Sequence, residues 1–371
     1  MNIKITTMKK SYFILAAVAA TFAACSQNDV ITEITENEVP IGFSGDWVEN
    51  VTRNAGEIAD KAALEVDGNT MQVWGWKTYN ATDTKVFNAQ VVTYNSSSTQ
   101  TTTKWEYNPL KFWDKAASYK FYGAAPDGKF TLNDGTRIFS ASSVPAVQVL
   151  ADNNGASQVT ASTAVDYLLA PVIERPAPKG NAPDGDVAFT FNHILSKLLV
   201  NTLTTTAFNN SGSTYPQIKL ESLSVKLEGM CPTYTQKTAG AVNPSATDGD
   251  TWSGTALTAA DYACFNVGGS VAEQLLSTTA FETASYLVAP TATGATPATC
   301  DVKVTVKYKV YYSATESEEF ERTDIAVTGI TSFVQNTFYT LNVTVGPEAI
   351  YFDVETVNNW TAGAAGSVTI D

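Results

Sequence analysis

Val302-Lys303-Val304-Thr305-Val306-Lys307-Tyr308-Lys309-Val310-Tyr311-Tyr312 is the stretch whose reading decides the fold. In an extended chain Val302, Val304, Val306, Tyr308 and Val310 fall on one face, with Lys303, Thr305, Lys307 and Lys309 on the other. That period of two belongs to a strand with one dry and one wet face; a helix would scatter these residues around its axis. The same alternation recurs in FYTLNVTV (338–345), where Phe338, Thr340, Asn342 and Thr344 oppose Tyr339, Leu341, Val343 and Val345. It recurs again in MQVWGWKTY (71–79), with Met71, Val73 and Gly75 on one face and Trp74 and Trp76 on the other. Thr, Ser, Asn, Val, Tyr and Gly are abundant, charged residues make up only 16%, and apolar stripes at helical spacing are scarce. The chain therefore reads as all-β, built of antiparallel sandwiches.

Three irregular tracts interrupt the strands. YNSSSTQTTTK (94–104) reads as a loop or long hairpin tip. ERPAPKGNAPDGD (174–186) is too rich in Pro and Gly to lie inside a sheet and is the best domain boundary. CPTYTQKTAGAVNPSATDGDTWSG (231–254) reads as an extended surface loop with a hairpin around Asp248 to Trp252. With 371 residues, 44% of them hydrophobic, the chain can bury more than one core. The expected division is a sandwich at 54–183, a second at 184–349, and a final strand segment at 350–371.

The amino terminus is a leader. Lys4, Lys9 and Lys10 precede an apolar run from Tyr12 to Ala24, thirteen residues long and too short to span a bilayer as a helix. Phe22-Ala23-Ala24-Cys25 resembles a bacterial lipobox, in which the Cys25 thiol is acylated and the signal, residues 1–24, is removed; the competing reading is an ordinary signal peptide with an incidental Cys. Loss of 1–24 removes three Lys and no acid, moving the formal net charge from -14 to -17. A chain so acidic is repelled by phosphate backbones, so nucleic acid is excluded as a partner. Residues 25–53 then form a lipidated propeptide. It contains one short apolar alternation, EVPIGFSG (38–45), and ends at Arg53, which precedes Asn54 and the polar stretch NAGEIADK.

Catalytic chemistry is sparse. His193 is the only histidine, so one molecule cannot supply two histidines to a metal, and no GxSxG elbow supports a Ser-His-Asp triad. His193 reads as hydrogen-bonded at a strand bend or the start of a short helix. Asp248 and Asp250 form a DGD pair that could serve a glycosidase or a calcium ion, but a solvated hairpin tip is the simpler reading. No phosphate-cradling Gly loop or dinucleotide fingerprint is present, and neither a cofactor nor a metal is expected. The seven Trp read as core rather than as a carbohydrate platform. With Cys25 acylated, Cys231, Cys264 and Cys300 allow one disulfide and one free thiol.

The order of segments resembles the fimbrillin family of Bacteroidetes, the lipoprotein-derived major pilins of type V pili and their relatives. The matching stretches are the FAAC lipobox, PIGFSG followed by TRN, VWGW, KWEYNPLKFWDKAASYKFYGAAP, DYLLAP, VAFTFNHILSKLLV, SYLVAP, FVQNTFYTLNVTV and the ending VETVNNWTAGAAGSVTID, which together cover essentially the whole chain. The resemblance implies two β-sandwich domains with transthyretin-like topology, no enzymatic activity, and export through the periplasm as a palmitate-bearing lipoprotein. It also implies display on the outer membrane and cleavage by an arginine-specific protease, here after Arg53. The cut would remove the first strand and leave a groove that a strand from another copy, or from a related pilin, fills.

The physics of such an exchange rests on named residues. If EVPIGFSG is the first strand, Val39, Ile41 and Phe43 are its buried face, and its departure opens a sheet edge over a dry groove. Refilling three or four apolar positions is worth roughly 5 to 12 kcal/mol gross, at about 1.5 to 3 each. The candidate donor is the far end of the chain, where Ile350, Phe352 and Val354 alternate with Tyr351, Asp353 and Glu355 beyond the Gly346-Pro347 break; its other reading is the last strand of its own domain. The expected function is a structural subunit of a cell-surface fimbria acting in adhesion. The alternative is a monomeric outer-membrane lipoprotein serving as a glycan-binding or adhesive module.

Overall fold

The structure, a computed structural model, describes residues 39–47, 58, 61–154, 163–177, 185–245, 249–269, 271–294, 299–347, 349–358 and 367–369. Among these residues the chain is all-β apart from a four-residue helix, Lys61–Leu64, and a single 3-10 turn, Thr206–Phe208. The stretch from which the fold was read forms the strand Val302–Tyr311, whose residues alternate buried and half-buried without a break. Thr337–Val345 behaves in the same way. Alternation along the sequence thus translates directly into one face packed and one face wet.

The N-terminal sheet has eight strands. Its order runs Phe43–Trp47, Val187–His193, Leu168–Leu169, Ser118–Ala125, Thr70–Tyr79, Thr82–Tyr94 and Trp105–Glu106, with Ile173–Arg175 also paired to Ser118–Ala125. The larger sheet has eleven strands. It begins at Ser317–Ala326, passes through Val302–Tyr311 and Gln217–Leu227, and ends with Thr337–Val345, Ile350–Asn358 and Ser367–Thr369. A small sheet of four strands, Thr251–Ser253, Thr233–Thr235, Phe139–Ala141 and Thr131–Leu132, draws on both halves of the chain.

The expected boundary at 183/184 does not coincide with the parting of the sheets. Val187–His193, assigned from the sequence to the second domain, pairs with Phe43–Trp47 and Leu168–Leu169 in the first sheet. In the other direction, Val147–Asn154 leaves the N-terminal half and pairs with Phe281–Val288 and Ala260–Asn266 in the large sheet. The Pro-rich tract interrupts the strands without ending the domain. Two apolar clusters result. One is confined to residues 41–191 and includes Ile41, Phe43, Val73, Phe87, Phe121 and Phe189. The other joins Trp74, Trp76, Tyr122, Phe139 and Leu150 to the core of the large sheet. The strand Thr70–Tyr79 separates them and is dry on both faces, with Met71 and Val73 in one cluster and Trp74 and Trp76 in the other.

One end of the large sheet is sealed by charge. The end strand Ser317–Ala326 is mostly exposed and carries Glu318, Glu319, Glu321, Arg322 and Asp324. On the wet face beside it, Lys309 lies 2.9 Å from Glu273 and also pairs with Glu221, and Lys307 lies 2.8 Å from Glu319.

A candidate assembly groove

The segment 39–47 laces two parts of the N-terminal sandwich together. Its first residues pair antiparallel with 111–113: Pro40 bridges Phe112, the Ile41 N–H donates to the Lys111 carbonyl at 2.8 Å, and the Trp113 N–H donates to the Val39 carbonyl at 3.2 Å. From Phe43 onward it pairs parallel with Val187–His193, from Phe43 opposite Val187 to Trp47 opposite Phe191, as the end strand of its sheet. The partner changes at Gly42, whose carbonyl accepts the Val187 N–H at 2.8 Å.

That crossing fixes two glycines. A Cβ on Gly42 would sit 1.7 Å from the Asp186 carboxylate, and one on Gly45 would sit 2.2 Å from the Leu64 side chain. Tyr107 adds a bolt from below, its hydroxyl donating to the Ile41 carbonyl at 2.7 Å. Burial pushes the Tyr107 hydroxyl up to about 12, the Lys111 N–H acting weakly the other way, so the group stays a neutral donor at any physiological pH.

Of the three side chains assigned to the buried face, two are there. Ile41 and Phe43 are fully buried, and the Phe43 ring lies 5.1 Å from Phe87, 5.4 Å from Tyr107, 6.0 Å from Phe121 and 6.1 Å from Phe189. Val39 is not: it is 42% exposed and stands at the rim, where the pairing with 111–113 begins. There it helps line an open cavity of about 450 Å³ with Pro40, Thr102, Lys104 and Asp186. The burial carried by this strand therefore falls from the three or four side chains counted in the sequence to Ile41 and Phe43, about 3 to 6 kcal/mol gross.

The far end of the chain is seated in its own molecule. Ile350–Asn358 runs antiparallel to Thr337–Val345 over nine residues, from Ile350 opposite Val345 to Asn358 opposite Thr337. Val354 is buried and packs over Gly329, where a Cβ would meet it at 2.8 Å; Ile350 and Phe352 are partly buried against the larger core. Ser367–Thr369 covers its outer edge. The pairing is the home arrangement, at the opposite end of the sheet from the charged strand. Cys25, Arg53, Asn54 and Asp248 lie outside the described residues.

The residues with catalytic potential are structural where they are described. His193 is buried, its Nδ1 2.9 Å and 3.0 Å from the two oxygens of buried Asp166. Asp250 is no solvated tip. It is buried and accepts from the Tyr234 hydroxyl at 2.8 Å, Gln335 Nε2 at 3.0 Å, and the Lys237 and Asn243 N–H groups at 2.9 and 3.1 Å. The DGD pattern concealed this role because three of the donors, Tyr234, Lys237 and Asn243, lie in the same tract that was read as a surface loop, and the fourth, Gln335, is far away in sequence. Trp74, Trp76, Trp105, Trp113 and Trp252 are all buried, and Cys231, Cys264 and Cys300 are buried free thiols. Among the described residues no group of three or more His, Cys, Asp or Glu could hold a metal ion, and no helix is long and apolar enough to cross a membrane. Gly42, Gly45, Tyr107 and Asp186 went unread in the sequence; the spacing of the two glycines in IGFSG was the one local signal.

The structure can be set beside solved ones. It superposes on a fimbrial protein from Bacteroides vulgatus with a TM-score of 0.45 and 14% identity, over 87% of this chain and 100% of that one. A candidate cell adhesion protein from Bacteroides uniformis gives 0.43 and 16%, over 88% and 99%. A fimbrial assembly protein from Parabacteroides distasonis gives 0.32 and 10%, over 86% and 96%. These are loose likenesses. No curated protein matches the chain in sequence. The family model described as fimbrillin-like, by contrast, matches residues 59–360, most of the chain. On that match the chain belongs to the fimbrillin-like family.

Proposed function

We propose that this chain is a structural subunit of a cell-surface fimbria with a role in adhesion, exported as a lipoprotein acylated at Cys25 and matured by a cut after Arg53. In this reading the segment 39–47 is a placeholder. It leaves with the propeptide, and a strand from a neighbouring copy, drawn from 350–371, takes its seat. The observation that carries the reading is the seat itself, an end strand with two fully buried side chains, Ile41 and Phe43, and backbone partners on both sides. Its departure would orphan the pairing groups of 187–191 and 111–113 and uncover Phe87, Tyr107, Phe121 and Phe189, which is the template an incoming strand needs.

The position of the cut has independent support. Trp47 ends the first strand and the Ile58 N–H is tied to Asp166 at 3.2 Å; between those two points the sequence contains one basic residue, Arg53. Removing 25–53 takes away six acids and one Arg, moving the net charge from -17 to -12. The test is Arg53→Ala in cells. The surface form should keep its propeptide and fail to polymerise, whereas wild-type subunits recovered from fibres should begin at Asn54. Normal fibres from the variant would refute the maturation scheme.

A further inference from the structure

We propose that Asp166 and His193 form an internal clamp on the segment that follows the cut, so that the first strand departs while residues 58 to 65 stay in place and define the mature amino terminus. The inference rests on the maturation reading above. Asp166 is buried, and its carboxylate takes two kinds of donor, the His193 ring at 2.9 Å and the Ile58 N–H at 3.2 Å. A carboxylate in such a place is stable only while its donors hold, so the backbone at Ile58 is fixed from inside.

The clamp is built where it survives the exchange. His193 ends the strand Val187–His193 on the same inward face as Phe189 and Phe191, and its backbone partner is Leu168 on the far side. The last rung of the removable strand is Trp47 opposite Phe191, so the ladder that is lost stops two residues short of His193. Beyond Ile58 the chain is pinned again. Leu64 is fully buried, in the precursor partly against Gly45 of the first strand, and, independently of that strand, Asn69 Nδ2 donates to the Ala63 and Leu64 carbonyls at 2.9 and 3.1 Å, closing the short helix Lys61–Leu64. Lys61, the next basic residue after Arg53, has a half-exposed side chain, but a protease can cut after it only when this anchored turn opens. Asp166 is thus a positioning residue for processing: it withholds Lys61 from a protease that accepts Lys as well as Arg.

Trypsin, which accepts both Arg and Lys, is the probe, with mass spectrometry of the amino terminus over time. In the wild-type precursor the cut after Arg53 should be fast and that after Lys61 slow. Ile58→Pro removes the backbone N–H donor together with a partly buried side chain, so Ile58→Ala, which keeps that N–H, is its reference; relative to Ile58→Ala it should speed the Lys61 cut on the order of tenfold to a hundredfold, the expected effect of losing a hydrogen bond to a charged group. The Arg53 cut and the circular dichroism of the folded body should not change. Asp166→Ala should open Lys61 in the same way. Hydrogen exchange at the Ile58 amide, read in uncleaved Arg53→Ala precursor with and without Asp166→Ala, tests the clamp even if the maturation reading fails. Slow exchange that accelerates in Asp166→Ala supports it. Unchanged exchange, or a Lys61 cut at the wild-type rate in both variants, overturns it.

Discussion

Replacing Phe43 by Ala removes the side chain that plugs the N-terminal sandwich from its edge. The ring is fully buried and stands within 5.1 to 6.1 Å of four others, Phe87, Tyr107, Phe121 and Phe189, borne on four different parts of the chain. Walls anchored so separately cannot close over a cavity, which places the cost within the range for buried Phe-to-Ala changes, about 3 to 5 kcal/mol. Urea unfolding of the purified precursor, followed by Trp fluorescence, should show that loss with an unchanged m value. The same substitution should leave assembled fibres at wild-type stability if, as proposed, residue 43 departs with the propeptide before the joint forms. A loss under about 1 kcal/mol in the precursor would show that Phe43 is not the plug, since an emptied site of this kind cannot be that cheap. A loss that persists undiminished in fibres would show that the strand never leaves.

Gly42→Val should destabilise the precursor, because its Cβ would fall 1.7 Å from the Asp186 carboxylate; adding Asp186→Ala should recover part of the loss in thermal melts, and no recovery would move the constraint elsewhere. Tyr107 titrates at about 12 in the folded chain against about 10 when unfolded. The folded state then binds the proton more tightly, so its contribution is complete below the unfolded value and is lost as pH rises from about 10 to 12. Tyr107→Phe should flatten that alkaline limb and cost about 0.5 to 1.5 kcal/mol at neutral pH through the missing bond to the Ile41 carbonyl; an unaltered limb would refute the assignment. Asp250→Ala strands four donors at the seam of the small sheet and should cost several kcal/mol in urea unfolding, whereas a loss under 1 kcal/mol would mean that water replaces the carboxylate.

The fold class was legible because strands with one wet face write their period into the sequence, as Val302–Tyr311 and Thr337–Val345 do. Thr70–Tyr79 shows where that logic stops: its two faces belong to different cores, so Trp74 and Trp76 are as dry as Met71 and Val73, and alternation alone cannot report a second dry face. The same limit hid the traffic between halves, since nothing local in 147–154 or 187–193 announces a partner more than a hundred residues away. In the groove, Ile41 and Phe43 were readable as inward residues on a common phase, while Val39, on the same phase, stands exposed at the rim because the core ends beneath it, which the alternation cannot report. Asp250 was misread for a related reason, because the tract around it was taken for a surface loop, whereas Tyr234 of that same tract and the distant Gln335 bury it.

The charged strand Ser317–Ala326 has a consequence for how copies can meet. Two molecules approaching through that edge would set Glu318, Glu319, Glu321 and Asp324 of one against the same carboxylates of the other, with Arg322 the single cation on the strand and the nearby Lys307 and Lys309 already engaged at home. Like charges opposed across a nascent ladder repel and hold the backbones apart. Lateral sticking at this edge is thereby discouraged, and the large sheet is left with one inhospitable end and one end made of the chain's own last strands. That asymmetry makes the two ends of the large sheet chemically distinct surfaces.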